Sequence, residues 1–144
     1  MSESFLPAPV PGLRILVIDD DAMVRSVVVD YLKVFGFTAI TEASSGEHAL
    51  RIVRDESQRI DFVISDWEMP DINGITILQA LRKTPCRENT PFIMITSQSP
   101  RERQKIEWAR KWRVSGYIVK PFRGRLLREK IWSVMGWELI ADAG

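Results

Sequence analysis

Four groups of residues in this chain could do chemistry together: the run Asp19-Asp20-Asp21, Asp66, the pair Thr96-Ser97, and Lys120. Carboxylates, hydroxyls and one ammonium suit hard cations and phosphoryl groups better than soft metals or hydride transfer. Three carboxylates meeting at one place repel each other, at about 4 kcal/mol per close pair for ~4 Å and an effective dielectric near ~20. One lysine does not offset that, so a divalent cation is expected, and oxygen-only ligands favour Mg²⁺ or Mn²⁺. A carboxylate beside such an ion, a lysine and a hydroxyl is arranged to attack phosphorus in line. Taken singly, each residue has a plainer reading. Acidic strand ends often cap the following helix, as Asp20 or Asp21 would do here.

What favours the chemical reading is where the elements place these residues. "LRILVI" (Leu13–Ile18) and "IDFVIS" (Ile60–Ser65) are short continuous apolar runs, as in strands buried on both faces. "FTAITEA" (Phe37–Ala43), "PFIMITS" (Pro91–Ser97) and "GYIVK" are three further strand candidates. Between them the apolar period changes to three and four. Val24, Val27, Val28, Tyr31, Leu32 and Phe35 predict a first helix that stops at Gly36. Ala49, Leu50 and Val53 predict a second, and "ITILQALRK" a third. Ser99-Pro100-Arg101-Glu102 combines a capping box with proline at the first helical position, starting a fourth helix that runs to about Arg113. "FRGRLLREKIWSVMG" closes the chain's pattern with Leu126, Leu127, Ile131 and Val134 inward. Five β-α alternations predict one α/β domain, a parallel sheet covered on both faces by five helices. In such sheets ligands bind outside the carboxyl ends of the strands. Asp19-Asp20, Asp66, Thr96 and Lys120 all fall at those ends.

Composition excludes several classes. Twenty basic against nineteen acidic residues give a net charge of +1, which does not favour nucleic acid or membrane surfaces. Cys86 is the only cysteine, so neither an intrachain disulfide nor a thiolate cluster is available. No P-loop and no G-x-G-x-x-G follows a strand, which leaves nucleotide binding unsupported. His48, the one histidine, reads as a partly exposed helix residue. The prolines of "MSESFLPAPVPG" describe a flexible leader over residues 1–12, ahead of a domain over 13–136 and a short tail over 137–144.

With "VISDWEMP" and "SGYIVKPF" in place, the chain resembles the receiver domains of two-component response regulators, especially the stand-alone chemotaxis kind, over roughly residues 12–136. The resemblance implies a flavodoxin-like, doubly wound five-stranded sheet of order 2-1-3-4-5. Asp66 then corresponds to the phosphoacceptor. Asp20, Asp66 and the backbone carbonyl of Glu68 correspond to metal ligands, with Asp19 acting through water. Thr96 and Lys120 match the family's hydroxyl and lysine, Tyr117 its aromatic switch residue, and Lys120–Pro121 its cis peptide. Asp21 falls beyond the acidic pair and reads as a helix cap.

The implied function is that of a cytoplasmic single-domain regulator. It would take a phosphoryl group from a histidine kinase or phosphotransfer protein and switch a helix 4–strand 5–helix 5 face toward a protein target, with weak self-phosphatase activity. An intermediate phosphotransfer protein, and a scaffold that dimerises through that face without phosphorylation, are the alternatives. No direct nucleic-acid or membrane partner is expected. The chain departs from the family at Glu68, where the chemotaxis regulators have asparagine, and at Trp112-Arg113, where they end helix 4 with Ala-Gly. Trp108 and Trp112, one turn apart among basic residues, suggest a partner surface.

Overall fold

The computed structural model describes residues 12–97 and 102–137, with side chains of the second segment described from Ile106 onward. The leader, the Ser99-Pro100-Arg101 helix start and the tail beyond Trp137 lie outside the described residues. The elements alternate as β1 (Arg14–Ile18), α1 (Ala22–Val34), β2 (Ala39–Ala43), α2 (Gly46–Arg54), β3 (Phe62–Asp66), α3 (Gly74–Lys83), β4 (Phe92–Ser97), α4 (Glu102–Lys111), β5 (Gly116–Lys120) and α5 (Gly124–Met135). All pairings are parallel and the strand order is β2-β1-β3-β4-β5. The order reverses between β1 and β3, which opens a crevice at their carboxyl ends.

Strand side chains alternate between two cores. Ile15, Val17, Ile64, Ile93, Ile95 and Ile118 face α1 and α5, where they meet Val28, Leu32, Leu127, Ile131 and Trp132. Leu16, Ile18, Val63 and Met94 face the other way, against Leu50, Val53, Ile77, Leu78 and Ala109 of α2, α3 and α4. β3, in the middle, is buried at every position, which explains its unbroken apolar run.

Several expectations need correction. Leu126, placed inward from spacing, is 42% exposed, and Val27, part of the apolar period that predicts the first helix, is 47% exposed. On α5 the buried stripe is Leu127, Ile131 and Trp132, and on α1 it includes Val28, Val29 and Leu32. In each helix the apolar pattern is wider than the surface its neighbours can cover. Phe37 and Thr38 precede β2 rather than open it, and Phe37 joins an aromatic cluster with Phe62, Trp132 and Trp137.

Three helices end alike. After α1, Phe37 N–H donates to Leu32 O and Gly36 has a φ of 106°. After α5, Trp137 N–H donates to Trp132 O and Gly136 has a φ of 73°. After α4, Val114 N–H donates to Ala109 O and Arg113 N–H to Arg110 O, the same motif, but the left-handed residue is Arg113 with a φ of 58°. The helix thus stops at Lys111, two residues before the sequence suggested. An L side chain there carries a steric cost that glycine lacks. The Arg113 guanidinium recovers little, through one 3.4 Å contact to Glu88 O. Arg113→Gly is expected to stabilise the fold by about 0.5–1 kcal/mol, read as a thermal midpoint raised by a few degrees. An unchanged or lower midpoint would mean that the side chain matters more than its contacts suggest.

Candidate functional site

Asp66 is the last residue of β3, and its backbone is set by close packing from below. Gly74 opens α3 with its N–H donating to Trp67 O at 2.8 Å. A Cβ at Gly74 would stand 2.6 Å from the Asp66 carbonyl oxygen and 2.7 Å from Met94 Sδ. Only glycine therefore allows α3 to begin directly against the strand end. Ser65 Oγ donates to the Asp66 carbonyl at 2.9 Å. Asp71 secures the far side of the loop by accepting from Gly46 and Glu47 N–H at the start of α2.

The acidic run is divided by function. Asp21 is the N-cap of α1 and accepts from the N–H groups of Met23 and Val24, as its position predicted. Asp19 is 3% exposed and accepts from Asp21 N–H at 2.9 Å. Arg25 Nη1 donates to the Asp19 carbonyl at 2.7 Å while its Nε bonds Glu42, holding the β1 end in place. No sequence pattern flagged Arg25, because its acceptor is a backbone atom. Asp20 is exposed.

One carboxylate oxygen from each of Asp19, Asp20 and Asp66 lies within 4.8 Å of the others. Lys120 Nζ, at the end of β5, reaches Asp66 Oδ1 at 2.9 Å, and the Lys120–Pro121 peptide is cis. Thr96 is buried near the end of β4, and the neighbouring Ser97 lies level with Lys120. Tyr117 is half-buried on β5, and Glu68 is exposed two residues beyond Asp66. Trp108 is 49% exposed, whereas Trp112 is half-buried against the α2–α3 core, so the two indoles part company. His48 is half-buried on α2.

The electrostatics show what the cluster lacks. Burial pushes the Asp19 carboxyl up to about 6, with Asp66 and Asp20 adding to the rise against the Asp21 N–H and Lys120. Burial also raises Asp66, opposed by its bond to Lys120. Two buried carboxylates beside a third are under-compensated by one ammonium, and oxygen donors at this spacing fit a hard divalent cation.

A raised folded-state pKa favours the protonated form. The contribution of Asp19 to stability is therefore fully present below 3.8 and is lost as the pH rises through about 6. In chelator, Asp19→Asn is expected to raise stability at neutral pH by roughly 2 kcal/mol and to leave it nearly unchanged well below this window. Thermal melts of the two proteins on either side of the window check this. A difference independent of pH would show that Asp19 is not charged at a cost.

Together these features define a flavodoxin-like α/β protein with an acidic, lysine-bearing site at the switch point of its sheet. Residues 15–132 match the family described as the response regulator receiver domain. The chain is 38% identical over 119 residues to chemotaxis protein CheY of Pseudomonas aeruginosa, covering 83% of this chain and 93% of that protein. It is 39% identical over 120 residues to CheY-3 of Vibrio cholerae, covering 83% and 89%. The crystal structure of CheY4 of Vibrio cholerae superposes with a TM-score of 0.74 at 27% identity, over 85% of this chain and 98% of that one. A receiver domain protein from Clostridium thermocellum gives 0.74 at 27% identity, over 86% and 94%. The chain belongs to the response-regulator receiver family and is a CheY-like receiver domain of two-component signalling. No described helix is long and apolar enough to cross a membrane.

Proposed function

We propose that this receiver accepts a phosphoryl group on Asp66 from a partner's phosphohistidine, assisted by Mg²⁺, and relays the change to a protein target. The observation that carries this reading is the convergence of Asp19, Asp20 and Asp66 with Lys120 bonded to the Asp66 carboxylate. An Asp66 carboxylate oxygen attacks phosphorus, the N–P bond breaks, and its electron pair leaves with the imidazole, giving an acyl phosphate. Asp20, Asp66 and the Glu68 carbonyl would hold the ion directly, with Asp19 through water. When bound, the ion offsets charge on the equatorial phosphoryl oxygens. Lys120 supplies a second positive charge at the same place. Thr96 is suited to bond the new phosphoryl group, and Tyr117 to change packing as Thr96 moves. The α4–β5–α5 face would then shift population toward a target-binding arrangement. Hydrolysis of the acyl phosphate resets it.

The exposed side chains of Met23 (79%) and Val27 beside the rim are suited to a phosphodonor protein's helix. A cavity of about 250 Å³ lies beside Val27, between Val24 and Val28 of α1 and the Lys120-Pro121-Phe122 turn. A cytoplasmic location accords with this partner class. Incubating the protein with a small phosphodonor tests the reading. Acid-stable but hydroxylamine-labile labelling is expected with Mg²⁺ and not in chelator; no labelling under either condition would overturn it.

A further inference from the structure

The loop between Asp66 and α3 is pinned at its middle to a helix from another part of the chain. Its ends are fixed nearby: Trp67 N–H donates to Ile95 O and Gly74 N–H to Trp67 O, both at 2.8 Å. Between them, Met69 is buried in the α2–α3 core, and Asp71 reaches the start of α2. Asp71 Oδ1 accepts from Gly46 N–H at 3.2 Å and Oδ2 from Glu47 N–H at 2.9 Å. Ser45 Oγ, the local cap, accepts from His48 N–H at 3.1 Å. N–H groups in a first turn have no acceptor inside their own helix, so Asp71 supplies what Ser45 does not. The Glu47 N–H, above all, holds the Asp71 carboxyl below the usual carboxylate range, so these bonds are made to a full charge. The packing beside them is equally close. A Cβ at Gly46 would stand 2.6 Å from Ile72 Cβ and 2.7 Å from Ile72 O. Loop and helix start therefore have no room to slide past each other.

We infer that Asp71 is a positioning residue for the metal site, fastening the loop to α2 so that the Glu68 carbonyl keeps its direction. Asp71 has this role on the reading above, in which that carbonyl holds the ion together with Asp20 and Asp66. A side-chain ligand can be re-aimed by its own rotamers, whereas a carbonyl points where the φ and ψ angles around it put it. Glu68 lies between the end of β3, fixed by the sheet, and Asp71, so the anchor at Asp71 holds one end of that short span. Asp71 acts through the backbone and is not itself a ligand. Its oxygens are turned to α2, and it is not among the carboxylates that converge at the rim. Mg²⁺ demands near-ideal octahedral geometry at short ligand distances, which makes it sensitive to a small displacement of one oxygen. Groups that orient metal ligands from behind commonly change affinity by about tenfold or more when removed.

The test is calorimetric titration of the full, unphosphorylated chain with Mg²⁺, with melting curves in chelator to show that each variant is folded. Asp71→Ala is expected to raise the Kd about tenfold. Gly46→Ala should raise it as well, because its methyl group pushes Ile72 while charge and hydrogen-bonding groups stay the same. Ser45→Ala removes the neighbouring cap bond of the same helix turn but leaves Asp71 in place, so it should bind Mg²⁺ within about twofold of wild type. Binding by Asp71→Ala within about twofold of wild type would overturn the assignment. So would an equal loss in Ser45→Ala, which would make the effect one of helix capping alone. An unchanged Kd in Gly46→Ala would overturn it too, leaving only the lost charge of Asp71 to explain the first variant. No Mg²⁺ binding by the wild type would strike the metal reading itself and this role with it, whereas the other outcomes leave that reading standing.

Discussion

Asp66→Asn is expected to abolish phosphodonor labelling while leaving the protein folded. Asparagine keeps the shape of the side chain and an acceptor oxygen for Lys120, but its amide is not a nucleophile at neutral pH. The other carboxylates are poor substitutes. Asp19 is 3% exposed and already holds the Asp21 N–H, and among the described residues the lysine at the site bonds Asp66, not Asp20. Loss of signal by about two orders of magnitude or more is therefore expected, as when a nucleophile is removed. The substitution also removes one negative charge from a site where burial already raises Asp66. The metal-free variant should melt no lower than the wild type at neutral pH. Labelling of Asp66→Asn at the wild-type level would mean that the acceptor is another residue. A collapsed melting curve would mean that the Asp66–Lys120 bond holds the fold together.

Arg82→Met should cause the largest loss of stability of any substitution considered, without touching the acidic rim. Arg82 is 8% exposed on α3 and donates to three backbone carbonyls: Thr90 at 2.6 Å, Arg113 at 2.7 Å and Trp112 at 3.2 Å. It thereby ties the end of α4 and the entry to β4 to the last turn of α3. Burial lowers its pKa, with nearby Arg113 adding to the effect, so carbonyl dipoles are what hold the charge there. Methionine matches the volume of the stem but leaves three carbonyls without this donor. Charge-assisted hydrogen bonds contribute about 1.5–3 kcal/mol each and do not simply add, so a loss of about 3–5 kcal/mol is expected. That corresponds to a midpoint lower by roughly 10 °C or more. Arg82→Lys should fall between, because one ammonium cannot span the three acceptors. These contacts lie at the amino ends of β4 and β5, opposite Asp66. Labelling of the folded variant in the cold should accordingly match the wild type. A midpoint within about two degrees of wild type would refute the clamp.

The residues with chemical potential were legible in the sequence because each follows a short apolar run whose length and direction are local properties. A run such as "FVIS" ends where the first acid stands, and parallel β-α alternation puts all such ends on one rim. Asp21 as a helix cap and Gly36 as a helix stop were equally local. The family motifs then supplied roles that spacing alone does not assign.

Tertiary structure decided what depends on distant parts of the chain. Periodicity assigns a residue to a helical stripe, but the width of that stripe that is covered depends on the neighbouring elements. Hence Leu126 and Val27 lie outside while Trp132 is buried. The same reason splits Trp108 from Trp112: one turn separates them in sequence, and the nearness of α3 buries only the second. Arg25 and Arg82 left no signal because their acceptors are main-chain carbonyls, which every residue has. The charge state of Asp19 likewise exists only after folding, when burial and two other carboxylates raise its pKa. By itself the sequence determined which groups stand at the strand ends; the packed fold decided how deeply they are buried, what holds them, and which indole remains outside.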